Sequence, residues 1–173
     1  MRNIGIFIGR FQPLHFGHIS VIKQALIEND MVIVIIGSKN VINARNPFSF
    51  EQRKVFINSV INNNKIMIDG IDDYEDDKDW CNELNKIIKR NIFFDMNECN
   101  FKLYGPKKDV STEKYINYVL ENSIISKYIN SDLINNDNGI IDATTIREIL
   151  NRKNKDSLEK YIPSEIIKII YNN

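Results

Sequence analysis

Cysteine is scarce in this sequence. Of 173 residues two are cysteines, Cys81 and Cys99, without CxxC spacing and without a histidine close by. This excludes a disulfide framework and offers no zinc-ligand pattern, and free thiols lead to the expectation of a reducing, cytoplasmic setting. Net charge is lacking as well, since 23 basic residues balance 23 acidic ones and neither half of the chain is a basic block. A nucleic-acid partner needs clustered positive charge, so a small ligand is expected instead. Long hydrophobic runs are also missing. Nothing approaches the roughly 20 apolar residues that cross a bilayer, and the opening run Ile4 to Ile8 is too short for a secretory core and lacks a small-residue cleavage site. Neither nucleic acid nor a membrane is therefore an expected partner. No internal repeat or linker interrupts the chain. The expectation is one domain over residues 1–173, with 43% hydrophobic residues to fill a sizeable core. Copy number stays open, and a homo-oligomer is compatible with all of this.

What is present is a rhythm. Runs rich in Ile and Val alternate with amphipathic stretches, which predicts strands at about Asn3 to Ile8, Met31 to Ile36, Lys65 to Ile71, Asn100 to Tyr104 and Ile124 to Tyr128. The stretches between them predict helices at about His18 to Asn29, Ser49 to Val60, Lys78 to Arg90 and Ser111 to Glu121. Two more follow, Thr144 to Arg152 and a last helix opened by Pro163. Ser49 and Gln52 have the spacing of a capping box. The unbroken apolar run Met31 to Ile36 suits a strand covered by helices on both faces. The fold class expected is α/β, an open doubly wound five-stranded parallel sheet, whose ligands sit beyond the carboxyl ends of the strands. The loops after strands one, two, four and five are the places to look.

The first of these loops is Gly9-Arg-Phe-Gln-Pro-Leu-His-Phe-Gly-His18. It lacks the glycine spacing of a dinucleotide fingerprint and the Lys-Ser/Thr of a P-loop. It carries instead the chain's two histidines, His15 and His18, placed where a loop turns into a helix. A helix N-terminus presents unpaired N–H groups and the positive end of the helix dipole, and so binds phosphate. Imidazole donors strengthen such a site, Arg10 adds a planar fork, and Gly9 and Gly17 let the backbone approach a ligand. Taken alone, a His-x-x-His pair is more often satisfied by its own loop. These surroundings favour an anion site.

The same stretch resembles the GRFQPxHxGH loop of the HxGH nucleotidyltransferases, in the form found in nicotinamide-nucleotide adenylyltransferases of the archaeal type and in the N-terminal half of bifunctional adenylyltransferase/Nudix proteins. The sequence stops before a Nudix domain would begin. The resemblance implies a Rossmann-like fold. It also implies a second signature, Ser-x-Thr-x-x-Arg, opening a late helix, and Asp142-Ala-Thr-Thr-Ile-Arg147 stands at that place. Residues 142–173 would then be C-terminal helices carrying that signature. Asp142 replaces the family's usual serine and puts a negative charge near a polyphosphate, where it either repels ATP or helps hold magnesium. By this resemblance ATP is bound by Gly9, Arg10, Phe11, His15, Gly17, His18, Gly105, Lys108, Thr144, Thr145 and Arg147, and His15, His18, Arg10 and Arg147 carry the catalysis. Gly105-Pro-Lys-Lys-Asp109 resembles a GHKKD segment, with Pro106 in place of its histidine.

For the second substrate, Gly37-Ser38 and Arg45-Asn-Pro-Phe48 followed by Arg53 are similar to a GS…RNPF…ER segment of the same enzymes. The resemblance assigns Gly37, Ser38, Arg45, Asn46, Asp73, Tyr74 and Trp80 to nicotinamide mononucleotide, with Asp77 beside them. Arg45 would meet its phosphate, while Arg53, inside a helix, would support the loop. Trp80, the only tryptophan, would stack on the nicotinamide ring, a contact of about 0.5 to 2 kcal/mol for a cation on an aromatic face.

The reaction implied is adenylyl transfer from ATP, with Mg²⁺, to the mononucleotide, giving NAD and pyrophosphate. No protein nucleophile is required, because the attacking phosphate is already an anion. Positioning and charge stabilisation would carry the rate. The rivals are transfer to another phosphorylated substrate, as in phosphopantetheine adenylyltransferase or a cytidylyltransferase, and a non-catalytic NAD or ATP sensor.

Overall fold

The structure is a computed structural model that describes residues 1–106, 110–131 and 141–172. Five parallel strands form its sheet in the order β3-β2-β1-β4-β5. They are β1 (Arg2–Gly9), β2 (Met31–Ile36), β3 (Ile66–Gly70), β4 (Cys99–Gly105) and β5 (Lys127–Asn130). The helices are α1 (Phe16–Glu28), α2 (Phe50–Val60), α3 (Asp77–Arg90), α4 (Val110–Asn122), α5 (Ala143–Asn151), α6 (Lys155–Leu158) and α7 (Ser164–Asn172).

All six residues of β2 are buried, because the sheet is covered on both sides. Alternation divides them between two cores. Val32, Val34 and Ile36 pack with Ile22 of α1, Phe56 and Ile57 of α2, and Ile146, Leu158 and Ile166 of the C-terminal helices. Met31, Ile33 and Ile35 pack with Leu84, Ile87 and Ile88 of α3 and Val119 of α4. β1 lies at the centre, with Ile6 opposite Ile33 on one side and Leu103 on the other. The strand order reverses there, and the loops leaving β1 and β4 diverge to leave a crevice.

The capping box forms as read: Gln52 donates its backbone N–H to Ser49 Oγ at 3.2 Å, and Ser49 donates its own to Gln52 Oε1 at 2.9 Å. Three readings need correction. α1 begins at Phe16, ahead of His18, because His15 supplies its cap. β5 starts at Lys127 instead of near Ile124, since Ile125 is buried in the turn before it and Ile124 donates its N–H to Asn85 Oδ1 at 3.0 Å. The short 3-10 turn Met96–Glu98 and α6 were not anticipated, for segments of three and four residues carry no periodic signal.

Candidate active site

The first-loop residues sit at the carboxyl end of β1. His15 caps α1, its Nδ1 accepting the backbone N–H of His18 at 3.3 Å. An imidazole nitrogen that accepts holds no proton, so the neutral ring carries its proton on Nε2. The two imidazoles stack with centroids 3.6 Å apart and planes 22° apart. Gly17 falls in the first turn of the helix, partly exposed. Phe11, assigned by resemblance to ATP, turns its side chain inward. Its side chain is 1% exposed, edge-on to Phe7 at 5.5 Å and to His18 at 4.9 Å, so it braces the histidine from the core. Gly9 makes room for that ring, since a Cβ there would lie 2.9 Å from it.

Arg53 and Gln12 hold this loop against the one after β2. The Arg53 side chain is fully buried and donates to the carbonyls of Ser49, Arg10, Gly37 and Ser38 at 2.7 to 3.2 Å. Gln12 donates to the Phe48 carbonyl and accepts the Phe48 N–H, both at 2.9 Å. Ser38 has a φ of 47°, a left-handed conformation that a serine keeps only where its surroundings hold it. Arg53 was read as a support, and the geometry agrees.

The second signature meets the first at one residue. Arg147 donates from Nη1 to the Gln12 carbonyl and from Nη2 to Thr144 Oγ1, each at 3.1 Å, across 135 positions of sequence in the first case. Partial burial holds its guanidinium below an arginine's ordinary pKa. The positive charges of Arg10 and Arg45 act in the same direction, and Asp142 acts against them. Arg45, assigned by resemblance to the mononucleotide phosphate, therefore shares its surroundings with the arginines of both signatures. Such a group of cations favours a multiply charged anion. Thr144 and Thr145 are exposed at the start of α5, and Gly105 ends β4, its carbonyl accepting the Tyr128 hydroxyl at 2.6 Å. Lys108, with Lys107, lies outside the described residues.

Asp142 turns its charge onto the helix. Its carboxylate oxygens accept the N–H groups of Thr144 and Thr145, each at 3.2 Å. These bonds, the Thr144 one first, hold its carboxyl below the usual range. A carboxyl whose folded pKa is depressed contributes its stability above an unfolded value near about 3.9 and loses it as pH falls through the folded value. Asp142→Ala should thus lower stability by about 1 kcal/mol at pH 7. In urea titrations the gap from the unmutated chain should close in acid below that window. A gap that stays constant down to acid would contradict the cap.

Beside the arginines opens a cavity of about 590 Å³. Gly37 and Ser38 form its edge after β2, Asp73 and Tyr74 come from the loop after β3, and Asp77 and Trp80 from α3. The general rule for such sheets pointed to the loops after strands one, two, four and five, and only the resemblance singled out Asp73 and Tyr74 on the loop after β3. The opposite wall is Lys114, Tyr115 and Tyr118 of α4, which sequence reading missed because they look like the outer face of an ordinary amphipathic helix. The one available sign was a pair of tyrosines, three apart, in the middle of the helix that follows a ligand-edge strand. Trp80 and Tyr115 meet edge-on, centroids 5.7 Å apart. Ser38 Oγ donates to Asp73 Oδ1 at 2.9 Å, and Asn40 Oδ1 accepts the Asp73 N–H at 2.9 Å. Gly37 joins the two halves of the site, since a Cβ there would lie 3.8 Å from the Gly9 carbonyl and 3.9 Å from Arg10 Cγ. Arg45 and Asn46 are not part of this wall. Arg45 is exposed in the turn closed by Asn43 and Asn46, and Asn46, 5% exposed, donates its N–H to Asn43 Oδ1 at 3.0 Å.

The family described as cytidylyltransferase-like matches residues 6–148 of this chain. The chain belongs to that family. Over 183 residues this cytidylyltransferase-like chain is 26% identical to a nicotinamide-nucleotide adenylyltransferase of Sulfurisphaera tokodaii, covering 95% of this chain and 88% of that protein. It is 34% identical over 87 residues to a nicotinamide/nicotinic acid mononucleotide adenylyltransferase of Acinetobacter baylyi, covering 48% of this chain and 46% of that one. Among solved structures, a bifunctional NMN adenylyltransferase/ADP ribose pyrophosphatase of Francisella tularensis has a TM-score of 0.74 at 33% identity, over 97% of this chain and 47% of that one. A Francisella structure of the same description, with AMP and a manganese ion, has a TM-score of 0.71 at 33% identity, over 94% and 44%. The chain thus spans most of the Sulfurisphaera protein and less than half of the other two.

The chemistry open to this cytidylyltransferase-like site is charge placement. Cys81, beside the cavity on α3, is 1% exposed, and burial followed by the charge of Asp77 pushes its thiol up, so it stays protonated and is a poor nucleophile. The arginines and the imidazole pair suit an oxyanion, and the aromatic cavity suits a flat ring.

Proposed function

We propose that this chain joins ATP to nicotinamide mononucleotide, giving NAD and pyrophosphate. An oxygen of the mononucleotide phosphate attacks the α-phosphorus of ATP, the bond from that phosphorus to the bridging oxygen breaks, and pyrophosphate leaves. The observation that carries this reading is the bond from Arg147 to the Gln12 carbonyl, which sets both signatures around one anion site next to an aromatic cavity. The resemblance of the chain to adenylyltransferases of this substrate over nearly its whole length supports it.

In this reading His15, His18, Arg10 and Arg147 stabilise charge as it shifts from the α- to the β-phosphate, while Gly9, Gly17, Gly105, Lys108, Thr144 and Thr145 shape the ATP side. Gly37, Ser38, Asp73, Tyr74 and Trp80 hold the nicotinamide riboside, with Tyr115 and Tyr118 added. Arg45 meets the mononucleotide phosphate, and its charge reaches Arg147. A divalent ion, magnesium in this proposal, would supply neutralising charge to the phosphates when bound with ATP. The Francisella structure with AMP and manganese supports a divalent ion. A single domain over 1–173 and a cytoplasmic location belong to the same proposal.

The test supplies the protein with Mg²⁺, ATP and nicotinamide mononucleotide. Parallel reactions offer phosphopantetheine, or CTP with glycerol phosphate. NAD and pyrophosphate should form only in the first. Binding without product would make the chain a sensor. Trp80→Ala should raise KM for the mononucleotide more than KM for ATP, and equal rises would count against stacking.

A further inference from the structure

We propose that Asn43 is a positioning residue for Arg45, holding the turn from which that arginine meets the phosphate of the mononucleotide. This rests on the adenylyl-transfer reading and adds to it a residue outside both signatures. The loop from β2 to α2 is fixed at its two ends. Arg53 and the backbone N–H of Val41 hold the Ser38 carbonyl at one end, and Gln12 clamps Phe48 at the other. Between those anchors packing does little. Ile42 is 68% exposed, and Ala44, Arg45 and Pro47 are exposed as well.

Asn43 supplies what packing does not. Its Oδ1 accepts the backbone N–H groups of Arg45 and Asn46, each at 3.0 Å, and the side-chain Nδ2 of Asn46 at 3.2 Å. Two of those donors are backbone amides, so the accepting atom has to be the carbonyl oxygen and the side chain can be turned only one way. The backbones of Asn43 and Asn46 also bond to each other in both directions, at 3.2 and 3.0 Å. An asparagine that accepts from the residues two and three ahead closes a turn locally, and here the residue two ahead is Arg45. The arginine backbone is thereby fixed while its side chain stays exposed, near enough for its charge to bear on Arg147. The same contacts hold the Asn46 amide by its nitrogen and leave Asn46 Oδ1 buried with no donor among the described residues. A buried acceptor without a partner is costly, and a turn that carries such a cost beside Arg45 is kept for what it presents. An arginine already in place gives up less freedom when it pairs with a phosphate, which is the gain Asn43 provides.

The experiment measures kcat and the KM of each substrate for the unmutated protein, Asn43→Ala, Arg45→Ala, the two combined, and Asn43→Asp, with thermal midpoints alongside. Asn43→Ala should raise KM for the mononucleotide at least about fivefold, the penalty for one net hydrogen bond, and KM for ATP by less than about twofold. Its thermal midpoint should stay close to that of the unmutated protein, because Asn43 is exposed and both anchors of the loop remain. In the combined variant the asparagine change should add nothing to the effect of Arg45→Ala, since a residue that acts only through another has no effect once that other is gone. Asn43→Asp should recover most of the loss, because a carboxylate accepts the same N–H groups. Additive effects in the combined variant, an unchanged mononucleotide KM in either single alanine variant, or equal rises in the two KM values would each overturn the positioning role while leaving adenylyl transfer standing. An aspartate variant no better than the alanine one would overturn it too. No product from the unmutated protein would remove the adenylyl-transfer reading, and this role with it.

Discussion

His18→Ala is expected to lower kcat by at least about a hundredfold, the scale found when one transition-state donor is removed. The reason lies in where the ring is held. His18 is in the first turn of α1, stacked on His15 at 3.6 Å and braced edge-on by Phe11 at 4.9 Å, so its orientation is fixed before any ligand arrives. A donor that needs no reorganisation is worth most where charge develops during reaction. KM for ATP should change far less than kcat. Because alanine also removes ring packing, the thermal midpoint of the variant must be compared with that of the unmutated protein, and His18→Asn, which keeps an N–H donor, should recover part of the loss. A well-folded alanine variant with unchanged kcat would remove the histidine from the mechanism.

The second large effect is structural. Arg53→Ala should destabilise the protein by about 3 to 5 kcal/mol, the scale of leaving several buried carbonyls short of a donor at about 1 to 3 kcal/mol each. Four carbonyls, those of Ser49, Arg10, Gly37 and Ser38, would lose a side-chain donor at once, and those of Ser49 and Ser38 would keep only the backbone N–H groups of residue 53 and Val41. The loops after β1 and β2 would lose their shared anchor, so KM for both substrates should rise together, unlike the one-sided effect at Trp80. Arg53→Lys should not restore the protein, since one ammonium cannot reach carbonyls that a planar fork spans. A urea midpoint within about 1 kcal/mol of the unmutated protein, the ordinary cost of a point change, would show that the loops hold themselves.

The contrast between Arg53 and Arg45 shows how far the sequence could be read. Both stand in the stretch similar to GS…RNPF…ER, and position alone separates a helical support from a loop contact. The support reading of Arg53 agrees with its burial and its four carbonyl partners. For Arg45, resemblance gave only a substrate. Its setting near Arg147 follows from the chain returning over the first loop, where Phe16 donates its N–H to the Tyr161 carbonyl at 2.9 Å. Asp142 is similar. Its place at a helix start was legible, but the direction of its carboxylate, onto the amides of Thr144 and Thr145, depended on atoms two and three residues ahead adopting helical geometry.

By itself the sequence determined the strands and the main helices, the capping box at Ser49, the histidine pair at the end of β1 and the arginine that opens α5. These follow from side-chain periodicity and from caps that bond within a few residues, so each segment carries its own signal. Only the tertiary structure decided that Arg147 reaches the Gln12 carbonyl, that Gly37 links the anion site to the aromatic cavity, and that α4 closes that cavity with Tyr115 and Tyr118. Those meetings depend on the strand order and on which sheet face each helix covers. Both are set by packing two cores against one sheet, and no local pattern encodes which distant side chains that packing brings together.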